Sequence, residues 1–318
     1  MGSTPAKRTI GIYDRAATHY SCRVLTLEQL SDLFAQHRAA AAVRVAEFTL
    51  GGQPFAFNSQ SAIMGVVNLS ADSWYRESVC LTADSAIQRG KRLAAEGAQI
   101  VDLGAESTLA HAARVTAGGQ NSQLLPVIRE LRAAQILVSV ETYEPTVTRA
   151  CLEAGANLLN LTGTEHGDEI FHLVAAHEAA VILCYVQGRN VREVGDFDLR
   201  TDPIPMLHDF FARRIEAAQR CGVKRIFIDP GLGFYYRNLQ DSAVRIRHQM
   251  RVFLNTFRLR TLGFPVCQAL PHAFEYFREE VRCAEPFFAV LAALGKTDLF
   301  RTHEVPRIKA VLDTLQAY

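Results

Sequence analysis

From about residue 61 onward the sequence repeats one unit eight times: a short, almost wholly apolar run followed by an amphipathic stretch. The runs are Ala62–Leu69, Gln99–Gly104, Ile136–Val140, Leu158–Leu161, Ala180–Val186, Arg225–Ile228, Pro265–Leu270 and Leu299–Thr302. A strand apolar on both faces must be covered on both faces, as in a parallel sheet. The stretches Ala83–Glu96, Asn121–Ala133, Pro145–Ala154, Gly167–Ala176, Pro205–Cys221, Asn238–Thr256, Pro286–Leu294 and Val305–Gln316 read as helices. Pro145, Pro205 and Pro286 stand where a first helical turn accepts proline, because an N–H there has no helical partner. Eight βα units around a buried sheet predict an α/β fold, a closed (β/α)8 TIM barrel, over an open doubly wound sheet.

Residues 1–60 break this pattern. Thr9–Tyr13 reads as a strand, and Thr26–Arg38 as a helix with Leu27, Leu30, Leu33 and Phe34 on one face. Val43–Thr49 and Pro54–Asn58 flank Gly51-Gly52, which is a hairpin signal. The expected organisation is an N-terminal β-α-β-β extension over 1–60, covering the barrel or presenting a partner surface, and a barrel over 61–318.

Composition narrows the function classes. The chain has 318 residues, 49% of them hydrophobic, enough for one large core. Its 34 basic and 33 acidic residues are interspersed, which argues against a nucleic-acid or membrane surface. No signal-like apolar core or spanning run is present. The seven cysteines are scattered, without a CxxC pair, so a zinc framework or disulfide scaffold is not expected and a cytoplasmic location is.

A barrel builds its site where strands exit toward the following loops. Asn68 ends the first barrel strand, with Ser70, Asp72 and Ser73 beyond it. Asp102, Glu106, Ser107 and Thr108 follow at the second, and Glu141 at the third. Asn160, then Cys184, then Asp229 end the next three, and Arg301 and His303 stand at the last. Singly, each has an ordinary reading: Asn68 as a cap, Asp229 before Pro230-Gly231 as turn chemistry, His303 as a structural histidine. Together, carboxylates and amides suit a heterocycle with several donors and acceptors. Arg301 with Asn68 and Thr108 suits a phosphate, which a guanidinium grips with a bidentate fork.

The same residues carry a family resemblance. Ile63–Ser73 resembles the dihydropteroate synthase opening MGxxNxTPDSF, and Ile100–Thr108 resembles IIDIGGEST. Ser139–Thr142 resembles SVDT, Leu158–Asn160 resembles IIND, Ile228–Phe234 resembles LDPGxGF, and Arg301–Val305 resembles RVHDV. These motifs run in family order. The resemblance implies joining a pterin pyrophosphate to p-aminobenzoate, with pyrophosphate released. It implies a pterin or dihydropterin held by Glu141, Asn160 and Asp229, with Cys184 beside them. Pyrophosphate would be held by Asn68, Thr108, Arg301 and His303, with Mg²⁺ at Asn68. Loops at Ser70, Asp72, Ser73 and Ser107 would close over the site, and the protein would form a homodimer.

Four departures matter. Glu141 stands for an Asp, and Leu109-Ala110-His111 for an Arg-Pro-Gly run. Tyr235-Tyr236 replaces Gly-Lys, which predicts added bulk beside the pocket. The lysine of the family's SRK motif is missing: the chain reads Cys267-Gln268-Ala269-Leu270-Pro271-His272, where His272 is the only substitute. The reading is therefore a diverged transferase that uses a pterin pyrophosphate with an altered acceptor. Its alternatives are a non-catalytic pterin-binding partner of a folate enzyme, a true dihydropteroate synthase, and a methyltetrahydrofolate methyltransferase-like enzyme.

Overall fold

The structure, a computed structural model, describes residues 25–70, 72, 78–108, 112–197, 202–234 and 236–318. The expected strand at Thr9–Tyr13 lies outside them. The chain divides into two compact units, Met1–Arg38 and Ala39–Tyr318. In the first, helix α1 (Leu27–Gln36) starts where its sequence says it should. The Thr26 hydroxyl accepts from the Gln29 N–H while the Gln29 side chain accepts from the Thr26 N–H, a capping box. A short helix α2 (Arg38–Ala41) follows.

The hairpin is β1 (Phe48–Leu50) and β2 (Gln53–Phe55), turning through Gly51 and Gly52 at φ 54° and 87°. Two consecutive positive φ values suit a tight hairpin turn and favour glycine at both positions. Both strands are shorter than the alternating pattern predicts. The Asn58 side chain accepts from the Val45 N–H and donates to the Val45 carbonyl, both at 2.9 Å, so a side chain does the pairing there.

Eight parallel strands follow: β3 (Ala62–Asn68), β4 (Ile100–Gly104), β5 (Leu137–Thr142), β6 (Leu158–Leu161), β7 (Ala180–Cys184), β8 (Arg225–Asp229), β9 (Cys267–Ala269) and β10 (Leu299–Thr302). They pair in the order β8-β7-β6-β5-β4-β3-β10-β9. A parallel bridge between Ile228 and Val266 brings the two ends of this order together. The helices between them are α3 (Ala83–Ala95), α4 (Ala117–Ala133), α5 (Pro145–Glu153), α6 (Gly167–Ala176), α7 (Pro203–Arg220), α8 (Ser242–Leu259), α9 (Phe274–Phe277), α10 (Ala284–Leu294) and α11 (Val305–Gln316). This is the expected (β/α)8 barrel. Its helix α4 starts four residues early, where the Thr116 hydroxyl caps the Gly119 N–H.

Strand alternation sorts the buried residues into two cores. Val67, Val101, Leu103, Val140, Leu159, Val181, Ile228 and Phe300 face outward and join the helices. Met64, Ile100, Leu137, Leu158, Ile182, Phe227 and Leu299 face inward. The hairpin closes this inner core from the amino ends of the strands: Phe48 and Phe57 meet the Phe227 ring edge-to-face, with centroids 5.2 and 5.3 Å away. Toward the carboxyl ends the inward positions turn polar, at Asp102, Ser139, Glu141, Asn160, Asp229 and Arg301. Among the described residues, no helix is long and apolar enough to cross a membrane.

Candidate active site

Sheet register sets four strand ends in one row: Asn68 pairs with Gly104, Gly104 with Glu141, and Glu141 with Asn160. Asn160 pairs with Ile182, and Cys184 pairs with Asp229 two residues further along the next two strands. Gly104 leaves the space between its neighbours open: a Cβ there would sit 3.7 Å from Asn68 Oδ1 and 4.0 Å from Glu141 Oε2.

Arg301 crosses this layer. Its Nε donates to Asp102 Oδ2 at 2.7 Å and its Nη2 to Glu141 Oε2 at 2.5 Å. Asp102 is fully buried and also accepts from Ser139 Oγ at 2.6 Å and Asn160 Nδ2 at 3.2 Å. The Cys184 thiol in turn donates to Asn160 Oδ1 at 3.2 Å. Asp229 accepts the Gly231 N–H at 2.7 Å. Burying Asp102, Glu141 and Arg301 is tolerable because they pair with one another, whereas Asp229 has no ion-pair partner among the described residues of this layer.

The electrostatics follow from burial. Burial pushes the Glu141 carboxyl up to about 7, against the pull of Arg301. It pushes Asp229 up to about 6, against the Gly231 N–H and Arg301. Burial alone would lower Arg301, but the carboxylates of Asp102 and Glu141 carry it above its ordinary value. The Cys184 and Cys267 thiols are held well above theirs by burial, so neither is a thiolate nucleophile near neutrality.

A cavity of about 120 Å³ opens above this layer. Asn68, Ser70, Ser107, Thr108, Glu141, Arg301 and His303 line it, so the structure brings together all four residues assigned to the anion. Asn160, Cys184 and Asp229 are buried outside that lining. Asn68 donates to Ser78 Oγ at 2.5 Å, leaving its amide oxygen near Gly104. The two loops expected to close meet each other: Ser107 Oγ donates to the Asp72 carbonyl at 3.2 Å, and the Ala113 N–H to the Asp72 carboxylate at 3.3 Å. Ser73 and Leu109–His111 lie outside the described residues, as does Tyr235.

Tyr236 corrects an expectation. It turns into the outer core, where its hydroxyl donates to the Tyr185 carbonyl at 3.1 Å and its ring meets Phe197 edge-to-face. Its bulk goes to packing against Tyr185 and Phe197 after β7; Gly233 and Phe234 line the cavity instead.

Three functional candidates escape the strand-end reading. Buried Arg192, on the loop after β7, donates to the carbonyls of Ser107 at 2.7 Å and Ala112 at 2.5 Å, holding the loop after β4 from across the mouth. Tyr143 donates to Glu106 at 2.6 Å on the same loop. Glu285 of α10 is fully buried beneath His303 and accepts its Nδ1 at 2.9 Å. Burial brings His303 down to about 4, against the pull of that carboxylate, so its imidazole is neutral near pH 7. Local sequence offers no sign of Glu285, because an acid before Pro286 reads as ordinary first-turn chemistry.

Comparison with known proteins follows the same lines. The family described as pterin binding enzyme matches residues 64–265. A dihydropteroate synthase of Streptococcus pyogenes serotype M6 is 32% identical over 216 residues, covering 67% of this chain and 75% of that protein. The type-3 dihydropteroate synthase of Escherichia coli is 27% identical over 264 residues, 81% of this chain and 99% of that protein. The dihydropteroate synthase of Xanthomonas albilineans, solved with 7,8-dihydropteroate, superposes with a TM-score of 0.69 at 27% identity, covering 86% of this chain and 98% of that one.

Proposed function

Because the chain belongs to the dihydropteroate synthase family of pterin-binding enzymes, we propose that it takes a pterin pyrophosphate and transfers the pterin-methyl group to an amine other than p-aminobenzoate. The observation that carries this is the cavity. Asn68, Thr108, Glu141, Arg301 and His303 meet in it, while Pro271 and His272 line the side where the family lysine is missing.

In this reading Asp229, Asn160 and Glu141 recognise the pterin ring, whose N–H groups suit carboxylate and amide oxygens. Carboxylate acceptors give charge-assisted bonds, stronger than neutral ones. Asn68, Thr108, Arg301 and His303 take the pyrophosphate. The bond from methylene carbon to pyrophosphate oxygen breaks, the acceptor nitrogen bonds to that carbon, and the nitrogen then loses its proton. Positive character develops at the carbon, and the buried carboxylates stabilise it without reorganisation. The bond Arg301 makes to Glu141 is exchanged for one to the anion, so binding the leaving group frees Glu141 for the ring. Asn68 suits a Mg²⁺ ion, which takes few protein ligands and keeps waters and phosphate oxygens. Its single amide oxygen lies toward Gly104, and an ion held there would offset charge on the departing pyrophosphate.

The loops bearing Ser70, Asp72, Ser73 and Ser107 close over this site, and residues 1–60 form an extension to the pterin-binding barrel of 61–318. A homodimer, in the cytoplasm, belongs to the same proposal. Tyr276, Phe287 and Leu294 are 60%, 43% and 54% exposed on and beside α9 and α10, and light scattering measures whether they pair.

The test is pyrophosphate release from a hydroxymethyl-dihydropterin pyrophosphate across a panel of amines. Turnover with other amines and not with p-aminobenzoate is expected. Release with p-aminobenzoate at full rate restores the ordinary synthase. Pterin binding without turnover in any mixture identifies a non-catalytic binder.

A further inference from the structure

Beside the anion side of the cavity lies a second arrangement, built from three elements. His272 comes from the segment after β9, Glu285 from the first turn of α10, and His303 from the end of β10. One ligand atom from each lies within 4.8 Å of the others. His303 Nδ1 is 2.9 Å from Glu285 Oε1, and His272 Nε2 is 3.2 Å from the same oxygen.

The two carboxylate oxygens of Glu285 have different duties. Oε2 is tied to the protein: it accepts from the Thr302 hydroxyl and from the N–H groups of His303 at 3.1 Å and Glu304 at 3.3 Å. Oε1 is held by the His303 N–H, at 3.3 Å, and is the oxygen that meets both imidazoles. A carboxylate with one oxygen fixed by donors and the other facing two histidines is the arrangement of a supported monodentate ligand. Both imidazoles line the cavity, with side chains 14% and 12% exposed, so an ion has a path in and a coordination position toward the cavity.

We propose that His272, Glu285 and His303 bind a first-row divalent transition ion of the Zn²⁺ type, distinct from any Mg²⁺ at Asn68. Two imidazoles and one carboxylate suit Zn²⁺, whereas Mg²⁺ prefers oxygen ligands. Around a tetrahedral ion with bonds of about 2.0–2.1 Å, neighbouring ligand atoms stand roughly 3.3 Å apart. The observed 2.9 and 3.2 Å need only a small expansion to admit it. The ion replaces the two imidazole contacts to Oε1 and leaves the backbone and hydroxyl donors to Glu285 in place. Its open position faces the cavity beside His303, where a phosphate oxygen or a water completes the shell.

The site is tested in the full chain, without pterin, by calorimetry with Zn²⁺ and by the visible spectrum with Co²⁺. One ion per chain, with a spectrum lacking the intense thiolate charge-transfer band, is expected. His272→Ala and Glu285→Gln should each weaken binding at least tenfold, the expected penalty for losing a ligand or its support. His272→Ala is the more informative, because His272 does not support the strand end as Glu285 does. No stoichiometric binding, or equal affinity in a folded His272→Ala variant, overturns the proposal. A thiolate spectrum does so as well, since it places the ion on the cysteines. Because no pterin is present, the result stands apart from the transferase reading.

Discussion

Arg301 Nε lies 2.7 Å from Asp102 Oδ2, so the cation assigned to the anion is anchored across β3 to a carboxylate with no solvent exposure. Removing the Asp102 charge leaves Arg301 with Glu141 as its one remaining carboxylate in a low-dielectric interior. Asp102→Asn is therefore expected to destabilise the chain by about 3 kcal/mol in urea unfolding. A loss below about 1 kcal/mol, the range of exposed pairs, would mean that Glu141 alone balances the Arg301 charge.

Arg301→Ala tests the anion role, with binding read on the folded fraction. Hydrogen bonds to charged groups are each worth about 1.5–3 kcal/mol, so losing this fork should weaken pyrophosphate binding roughly tenfold to a hundredfold. Free pterin should bind almost as before. Calorimetry with each ligand checks this, and equal losses would make Arg301 structural.

In the proposed reading Asp229 trades stability for recognition. Its carboxyl rises from the ordinary 3.8 to about 6 on folding, so the folded chain binds more protons than the unfolded one between these values. The favourable contribution of the protonated form is complete below about 4 and is lost as pH rises through about 6. Asp229→Asn removes that loss. Above pH 7 the variant should be more stable than the parent, by about 1–3 kcal/mol, with the gap vanishing below pH 4. It should also bind pterin at least tenfold more weakly. A variant less stable at pH 8 would contradict the assignment.

Pterin affinity should itself climb with pH. Asp229 ionises near 6 and Glu141 near 7, and the ring's N–H groups favour the ionised forms. Calorimetry between pH 5 and 8 should show affinity rising across both, and Glu141→Gln should remove the upper part of the rise. A flat profile would mean that the ring meets neither carboxylate.

Phe57→Ala addresses the other end of the barrel. The ring is buried between Phe55 and Phe227. Truncating a buried phenylalanine costs about 3–5 kcal/mol. Unfolding midpoints should fall accordingly while pterin affinity, read on the folded protein, stays unchanged. A shift in affinity would show that the two ends communicate.

The barrel strands are readable because their apolar runs report burial on both faces directly, and the family motifs mark their exits. Asn68, Thr108 and Arg301 are readable as one group from strand-end position, and the family resemblance adds His303. The partners are not. Glu285 meets His303 through the packing of α10 on β10, and Arg192 reaches the loop after β4 from across the mouth. Nothing in local spacing encodes such contacts. Tyr236 shows the converse: its position beside the glycine motif suggests the cavity, but the aromatic ring finds more apolar surface against Phe197.

The hairpin gives the molecule a division of labour. Phe48, Phe55 and Phe57 lock the amino ends of the strands, far from the layer of carboxylates at the carboxyl ends. Changes at well-separated positions add nearly independently. A chain secured at one end can therefore carry a histidine in place of a lysine and a glutamate in place of an aspartate at the other and still fold.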